Sequence, residues 1–164
     1  MYQLGSKVLY GSHGICEVVN VETKRINNKS IEYLVLQPVD HQDSKFYLPT
    51  QNESVISKLR PMMSSAEIES LLNSVKGQPI QWIEEESQRK IIYKELISSG
   101  DREALIRMIY ALHRHRRMQM EAGKKFHLCD ETFLRDAERI LDTEFALALH
   151  IPKSEVGSYI ESKL

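Results

Sequence analysis

The period of the hydrophobic pattern changes once along the chain, near residue 62, and this change constrains the fold more than any other feature. Before it, short segments rich in Val, Ile and Tyr alternate apolar and polar residues, as half-buried strands do. After it, apolar residues recur every three or four positions, as in amphipathic helices. We therefore expect an α+β chain, with a small SH3-like β module over residues 1–62 and a compact α-helical bundle over residues 63–164.

Residues typical of turns separate the N-terminal segments, which favours a strongly bent sheet of four or five short strands. These turn signals lie at residues 11–14, 27–29 and 40–44. Asn27-Asn28 tolerates positive φ and predicts a tight hairpin. A sheet of about 60 residues buries only a small core, so we expect it to lean on its neighbour or on a partner.

Helix-boundary signals divide the C-terminal part into four or five helices. Ser64-x-x-Glu67 is a capping box that opens the first helix, and Pro79 fits the first turn of the next. Gly100-Asp101 combines a C-terminal glycine with an N-cap residue. Asp130 is expected to cap a long last helix, whose two neighbouring apolar stripes predict a central place in the bundle.

The net charge of −1 hides a basic band in the third quarter of the chain. Residues 88–127 hold ten Lys or Arg and four Asp or Glu, a net charge of +6, whereas the segments on both sides are acidic. On a helical wheel Arg107, Arg114 and Arg117 lie opposite the apolar stripe and share a solvent face. Such a band is either an ordinary solvated helix face or a site for phosphate groups, bound by salt-sensitive contacts that ignore base sequence.

The only tryptophan, Trp82, precedes a stretch without apolar residues at positions 84–90. A helix there would have nothing to bury and should project from the bundle. Two placements of the indole stay open. It is exposed beside Arg89, Lys90 and Lys94, where it could stack on bases or wedge between them, or it plugs the junction between helices.

No combination of residues predicts catalysis or a metal site. Ser12-His13 lies in a turn, where adjacent side chains point apart. His113 and His115 lie on different faces of a helix, and His127 with Cys129 supplies only two metal ligands. The sequence also lacks phosphate-binding glycine loops. We therefore expect no enzyme, no cofactor and no metal ion.

Localisation signals are few. No apolar run approaches the length of a membrane span, and the N-terminus lacks the basic and apolar segments of an export signal. The two cysteines, Cys16 and Cys129, favour free thiols over a structural disulfide. We expect a cytoplasmic protein without a membrane partner.

Several short motifs, each weak alone, occur in a specific order and spacing. In the N-terminal part they are Gly5-x-x-Val8-x-Tyr10-x-x-His13-Gly14, Glu32-Tyr-Leu-Val-Leu36 and Leu48-Pro49. In the helical part they are Ser99-Gly100-Asp101, Ala137-Glu-x-x-Leu141 and Glu144-Phe-Ala-Leu147. On these motifs the chain resembles, over essentially its whole length, the CarD/CdnL family of bacterial RNA-polymerase-binding transcription regulators. Its N-terminal part is also similar to the polymerase-interacting domain of the transcription-repair coupling factor.

The resemblance implies a Tudor-like β module that docks on the RNA polymerase β subunit through strand-edge residues, here Lys24, Arg25 and Tyr47. It also implies a helical domain on promoter DNA at the upstream edge of the melted region, with Trp82 as a minor-groove wedge. The basic band would hold phosphates, through Arg89, Lys90, Lys94, Arg107, Arg114, Arg117, Lys124 and Lys125. The expected function is stabilisation of the promoter open complex by a bacterial, cytoplasmic protein that is monomeric when free.

The alternative is an adaptor that binds polymerase through its β module and another protein, not DNA, through its helices. A hydrolase is a third hypothesis, and it lacks any pair of nucleophile and base. Salt-sensitive association of the helical part with DNA separates the regulator from the adaptor.

Overall fold

A computed structural model describes residues 2–164 and confirms the α+β layout. The strands are β1 (Lys7–Tyr10), β2 (Ile15–Ile26), β3 (Lys29–Pro38), β4 (Phe46–Pro49) and β5 (Leu59–Pro61). They form one antiparallel sheet in the order β4-β3-β2-β1-β5. A one-turn helix, α1 (Glu53–Ile56), lies between β4 and β5.

β2 and β3 form a long hairpin whose tip extends beyond the rest of the sheet. Their pairing continues to Ile26↔Lys29, whereas β1 pairs only with Ile15–Glu17 of β2. The turn residues Asn27 and Asn28 have φ angles of 49° and 60°. Asparagine tolerates this left-handed region better than most residues do. The tight hairpin predicted from the sequence is therefore present.

The sheet buries apolar side chains on both of its faces. One face has its own small core, formed by Val8, Cys16, Val18, Leu34, Leu36, Leu48 and Leu59. On the other face Leu9 and Ile15 belong to the main core, which is built mostly by the helices. The expectation that so small a sheet packs against the helical part is confirmed.

Five helices form the C-terminal part: α2 (Ser65–Val75), α3 (Glu86–Ser99), α4 (Arg102–Glu121), α5 (Leu128–Leu149) and α6 (Lys153–Lys163). Ser64 and Glu67 make the predicted capping box of α2. Gly100, at φ 69°, ends α3, and Asp101 caps α4 by accepting from the Ala104 N–H at 3.1 Å. α5 lies centrally and contacts the other four helices. No helix within residues 2–164 combines the length and apolar character that crossing a membrane requires.

The predicted helix around Pro79 is wrong. Residues 76–85 contain no helix, because α2 ends at Val75 and α3 begins only at Glu86. In this extended segment Ile80, Trp82 and Ile83 pack against the main core. Their spacing does not place them on one helical stripe, and an extended chain buries them better. The stretch at positions 84–90 that was expected to project is helical only from Glu86, and Arg89 within it is buried in the bundle.

The predicted cap of α5 is also wrong. His127 occupies the N-cap position, and Asp130 lies within the first turn of the helix. Asp130 is fully buried and binds the guanidinium of Arg89. Leaving a buried guanidinium without a carboxylate costs more free energy than leaving a helix end without a capping side chain.

A buried ion pair connects the last strand with the helices. Glu144 of α5 accepts a hydrogen bond from Nε of Arg102 at 2.9 Å and from the backbone N–H of Met63 at 2.9 Å. Arg102 also donates to the carbonyl of Pro61 at 2.6 Å. Because Glu144 is completely buried, this pair ties the end of β5 to α4 and α5.

A second contact joins the sheet and the helices at another place. Asp40, which follows β3, accepts hydrogen bonds from Thr143 of α5 and from Lys153 of α6. The sheet is thus attached to the helical part through both β5 and the end of β3.

Candidate functional site

The first candidate surface lies on the sheet, where Lys24 and Tyr47 contact each other. Lys24 Nζ lies 4.4 Å from the centre of the Tyr47 ring and 5.8 Å from that of Tyr33. The register places them together, because Glu22 pairs with Tyr33 and Val35 pairs with Tyr47 on the same face of the sheet. A cation over exposed aromatic rings contributes about 0.5–1 kcal/mol. Tyr33 was not predicted from the sequence, and only the strand register reveals it.

Arg25 lies on the opposite face of the sheet from Lys24. Successive side chains of a strand alternate between faces, and Arg25 pairs with Ser30 near the hairpin tip. A partner that covers Lys24 and Tyr47 therefore meets Arg25 only by wrapping around the hairpin. The structure brings together two of the three predicted polymerase contacts.

The outer edge of β2 is open toward the hairpin tip within residues 2–164. β1 and the residues before it cover this edge as far as Val18. Beyond that point Val21 and Ile26 are exposed, and the N–H of Val21 bonds to its neighbour Asn20 at 2.9 Å. An open strand edge is the feature that an added strand requires.

The second candidate surface surrounds Trp82, in the extended segment between α2 and α3. The indole stacks on the imidazole of His115 in α4, with ring centres 3.7 Å apart and planes 10° apart. Tyr93 of α3 meets it edge-on at 6.5 Å. The indole is half-buried against the main core. The sequence left two placements open, an exposed indole and an indole that fills the junction between helices. The structure agrees better with the second, although part of the ring is exposed.

Arg89 is buried, and this corrects its prediction as a phosphate contact. Its exposed fraction is 3%, and its Nε and Nη2 donate to Asp130 at 2.7 and 2.9 Å. Nη1 donates to the carbonyls of Ile83 at 2.9 Å and Glu84 at 3.4 Å. The guanidinium carbon also lies 4.6 Å from the centre of the Trp82 ring. Arg89 thus fastens the tryptophan segment to α5 and has no free face for a phosphate.

The groups packed around the indole are mostly uncharged. Desolvation lowers the pKa of His115 below its usual 6.5, so the imidazole is neutral at pH 7. Its Nε2 lies 3.0 Å from the amide nitrogen of Gln119, which fits an unprotonated ring nitrogen. Desolvation also raises the pKa of Tyr93 to about 12. The charges that act on His115 include the buried Arg89–Asp130 pair and Glu84.

Two of the predicted lysines lie on α3 beside this site. Lys90 pairs with Glu86 at 3.0 Å, and Lys94 is exposed. An exposed i,i+4 pair contributes only about 0.3–0.5 kcal/mol, so Lys90 can leave it for a phosphate.

Two more of the predicted lysines lie in the loop between α4 and α5. Lys124 and Lys125 are exposed, and the next residue, Phe126, has its ring 6.4 Å from that of His115. Because His115 stacks on Trp82, this loop lies at the same end of the bundle as the indole.

Of the three arginines of α4 predicted to share a solvent face, Arg114 and Arg117 are exposed and Arg107 is half-buried, and His115 lies elsewhere on that helix. At about 100° per residue, Arg114 and Arg117 lie about 100° and about 160° around the helix from His115. Arg107 is paired with Glu103 at 2.7 Å. Arg114 and Arg117 line a cleft together with acidic residues of α5 and α6. The basic band therefore divides into a lysine-rich surface near the indole and an arginine cleft away from it.

The residues considered for catalysis or metal binding stay apart. No group of three or more His, Cys, Asp or Glu side chains in the described chain is placed to hold a metal ion. His113 bonds to Glu138 at 2.7 Å instead of meeting His115. Cys16 and Cys129 are free, and desolvation raises the pKa of both thiols, which makes them poor nucleophiles.

Residues 2–60 match the family described as the CarD-like/TRCF RID domain. The match covers the sheet from β1 into β5 and includes Lys24, Arg25 and Tyr47. Domains of this family interact with RNA polymerase in transcription and are not known as enzymes. Residues 2–60 therefore form a CarD-like domain, in agreement with the family that the sequence resembles.

Proposed function

We propose that this protein is a transcription regulator that binds the RNA polymerase β subunit and stabilises the promoter open complex at the upstream edge of the bubble. One observation carries the proposal: the only tryptophan is half-exposed at a junction between helices, in a helical part that is joined to a CarD-like domain. The sheet then supplies the attachment to polymerase, and the helices supply the contact with DNA.

The polymerase contact uses the Lys24–Tyr47 face and the adjoining strand edges. Tyr47 is 44% exposed, and its edge strand β4 leaves main-chain groups free for a partner strand. Lys24 over the Tyr47 ring adds a cation that can meet a carboxylate of the β subunit. Arg25, on the other face, contributes where the partner reaches around the hairpin.

The DNA contact uses Trp82 together with the four lysines at the same end of the bundle. An aromatic side chain inserted at a base step of the minor groove stabilises unstacked DNA. Lys90, Lys94, Lys124 and Lys125 bind phosphates without reading the base sequence. So few cations give weak affinity on their own, and attachment to polymerase compensates by raising the local concentration.

The effect on transcription is a shift in an equilibrium between closed and open complexes. The protein stabilises the open complex only by the difference between its affinities for the two states. Melted DNA presents an unstacked step to Trp82, whereas intact duplex does not. The proposal therefore predicts slower collapse of the open complex.

The experiment that tests this function compares the lifetime of a polymerase–promoter open complex with wild-type protein and with Trp82→Ala. We expect the variant to shorten the lifetime several-fold while its affinity for polymerase is unchanged. Ile91→Ala is the matched control, because Ile91 is an exposed apolar residue of the neighbouring helix α3. An unchanged lifetime with Trp82→Ala would contradict the proposed role of the indole.

The adaptor is the second candidate, and exposed apolar side chains favour it. Met118, Met120 and Leu128 are all exposed around the loop between α4 and α5. Methionine-rich surfaces suit protein partners. If the full protein, bound to polymerase, shows no salt-dependent contact with promoter DNA, this surface and not Trp82 defines the function.

A further inference from the structure

Trp82 lies in a segment without regular secondary structure. Within the described part of the chain, residues 76–85 join α2 to α3 and belong to no helix or strand. No ladder of backbone hydrogen bonds therefore fixes the direction of the indole. A side chain that is ordered only when it binds loses free energy in the process, whereas one that is already held in place does not. The contacts that hold this segment thus determine how well Trp82 can meet a partner.

Helix α4 holds the first part of the segment. The backbone N–H of Ile80 donates to the carbonyl of Arg107 at 3.4 Å, and Nη2 of Arg107 donates to Oε1 of Gln78 at 3.1 Å. About two turns farther along α4, the imidazole of His115 stacks on the indole of Trp82. The segment therefore follows α4 as far as the indole.

Arg89 of α3 holds the segment immediately after the indole. Its Nη1 donates to the carbonyls of Ile83 at 2.9 Å and Glu84 at 3.4 Å. Its guanidinium carbon lies 4.6 Å from the centre of the Trp82 ring. One guanidinium group thus contacts both the indole and the backbone that follows it.

Asp130 of α5 fixes this guanidinium in turn. Its two oxygens accept from Nε and Nη2 of Arg89 at 2.7 and 2.9 Å, and both residues are buried. Two parallel hydrogen bonds between planar groups set the orientation of the guanidinium as well as its position. The indole is therefore held by contacts that reach α3, α4 and α5.

We propose that Arg89 is a positioning residue, which holds Trp82 in the direction in which it meets DNA. This inference rests on the proposed function, in which the indole contacts DNA. Arg89 itself is only 3% exposed, too buried to bind a phosphate. Its effect on the open complex is exerted through Trp82, because it holds the indole in place before DNA arrives.

The role requires arginine and not merely a positive charge. Arg89 uses three nitrogen atoms, Nε and Nη2 for Asp130 and Nη1 for the two carbonyls. Lysine offers one nitrogen on a flexible chain, so it keeps the charge opposite Asp130 but cannot serve the carboxylate and both carbonyls in the same geometry. Arg89→Lys therefore removes the positioning contacts while the buried charge pair remains.

The test measures the lifetime of a polymerase–promoter open complex with the full chain, as wild type, Arg89→Lys, Trp82→Ala and the double variant. Arg89→Lys should shorten the lifetime several-fold, with affinity for polymerase unchanged. In the Trp82→Ala background it should have no further effect, because a positioning residue acts only through the indole. Further shortening there would show that Arg89 acts on its own, and the inference would be wrong.

The same four proteins separate this inference from the proposed function. If Trp82→Ala leaves the lifetime unchanged, the proposed function fails and the inference fails with it. If Trp82→Ala shortens the lifetime and Arg89→Lys does not, the function stands and only the inference is wrong.

A second set of measurements separates positioning from a general loss of stability. Val156 of α6 is completely buried, on a helix that packs against α2 and α5, so Val156→Ala is the control for stability. Quenching of Trp82 fluorescence by acrylamide should increase with Arg89→Lys and stay unchanged with Val156→Ala, and so should the rate of open-complex collapse. Equal effects of the two variants would assign the result to stability and overturn the inference.

A further variant keeps the test valid if Arg89→Lys does not fold. The double change Arg89→Met/Asp130→Leu removes both buried charges and leaves neither without a partner. It also removes the bonds to the carbonyls of Ile83 and Glu84. It should shorten the lifetime as Arg89→Lys does, and a folded double variant with the wild-type lifetime would contradict the positioning role.

Discussion

The indole of Trp82 lies nearly parallel to the imidazole of His115, with ring centres 3.7 Å apart. The stack covers one face of the indole and fixes its direction relative to α4. Because Trp82 is the only tryptophan in the chain, the tryptophan fluorescence of the protein reports on the surroundings of this one indole.

Replacing His115 with Ala should make the indole more accessible to acrylamide, because nothing then covers that face. His115→Phe should preserve the protection, since a phenyl ring can stack in the same place. The measurement is the quenching constant of Trp82 fluorescence in each protein. Equal quenching in all three proteins would show that the stack does not shield the indole.

Acidification should destabilise the fold through His115. Desolvation lowers its pKa from 6.5, so the folded protein binds this proton less readily than the unfolded chain does. Stability due to the neutral imidazole is therefore complete above pH 6.5 and decreases as the pH falls through the lowered pKa. Urea unfolding between pH 7.5 and about pH 5 should show a smaller loss for His115→Phe than for wild type. Parallel losses in the two proteins would assign the effect to other groups.

Arg89→Met should cost about 3–5 kcal/mol in the free energy of unfolding, because it leaves Asp130 as a buried charge without a partner. The double variant Arg89→Met/Asp130→Leu should cost less than Arg89→Met alone, since both charges are then absent. Urea unfolding of the full chain measures both. Lys90→Met, which breaks only an exposed pair, is the control and should change stability by less than about 0.5 kcal/mol. If the Arg89→Met protein kept its stability but bound DNA more weakly, Arg89 would be an exposed DNA contact and not a buried partner of Asp130.

Glu144→Gln should destabilise the protein by about 3 kcal/mol, because it removes the charge that compensates the mostly buried Arg102. The sheet should lose stability together with the helices, since this pair joins them. Hydrogen exchange of the Leu34 and Leu141 amides follows the two parts separately, and both rates should increase. Glu155→Gln, at an exposed position of α6, is the matched control. Faster exchange at Leu141 only would mean that the two parts unfold independently.

Asn28→Ala should destabilise the β2–β3 hairpin by about 1 kcal/mol, because alanine is less stable than asparagine at a φ of 60°. Asn28→Gly should be neutral or stabilising, since Asn-Gly is the preferred sequence for this kind of hairpin turn. Thermal unfolding of the two variants measures the difference. A larger loss for glycine than for alanine would show that the asparagine side chain, and not the backbone conformation, holds the turn.

Local signals in the sequence predicted much of the fold. The change of hydrophobic period placed the strands before residue 62 and the five longer helices after it, and Ser64 with Glu67 marked the start of α2. These features depend on residues that are neighbours in the chain. Pro79 was misassigned because its segment buries its apolar residues in an extended form, which only packing against other helices stabilises.

The candidate site was less predictable, because its partners are distant in sequence. Arg89 counted as one more cation of the basic band, yet its partner Asp130 lies 41 residues away and removes it from the surface. His115 carried no motif, and its role beside Trp82 follows only from how the helices pack. Counting charges therefore found the basic band but could not show which guanidiniums reach solvent.

The pair formed by Arg102 and Glu144, together with the contacts of Asp40, has a geometric consequence. These contacts hold the sheet, which carries the hairpin, in one position on the helices, which carry the indole. Under the proposed function, when polymerase binds the hairpin, Trp82 contacts the DNA at a fixed distance from that binding site. Breaking both contacts would therefore make that distance variable, even if neither binding surface changed.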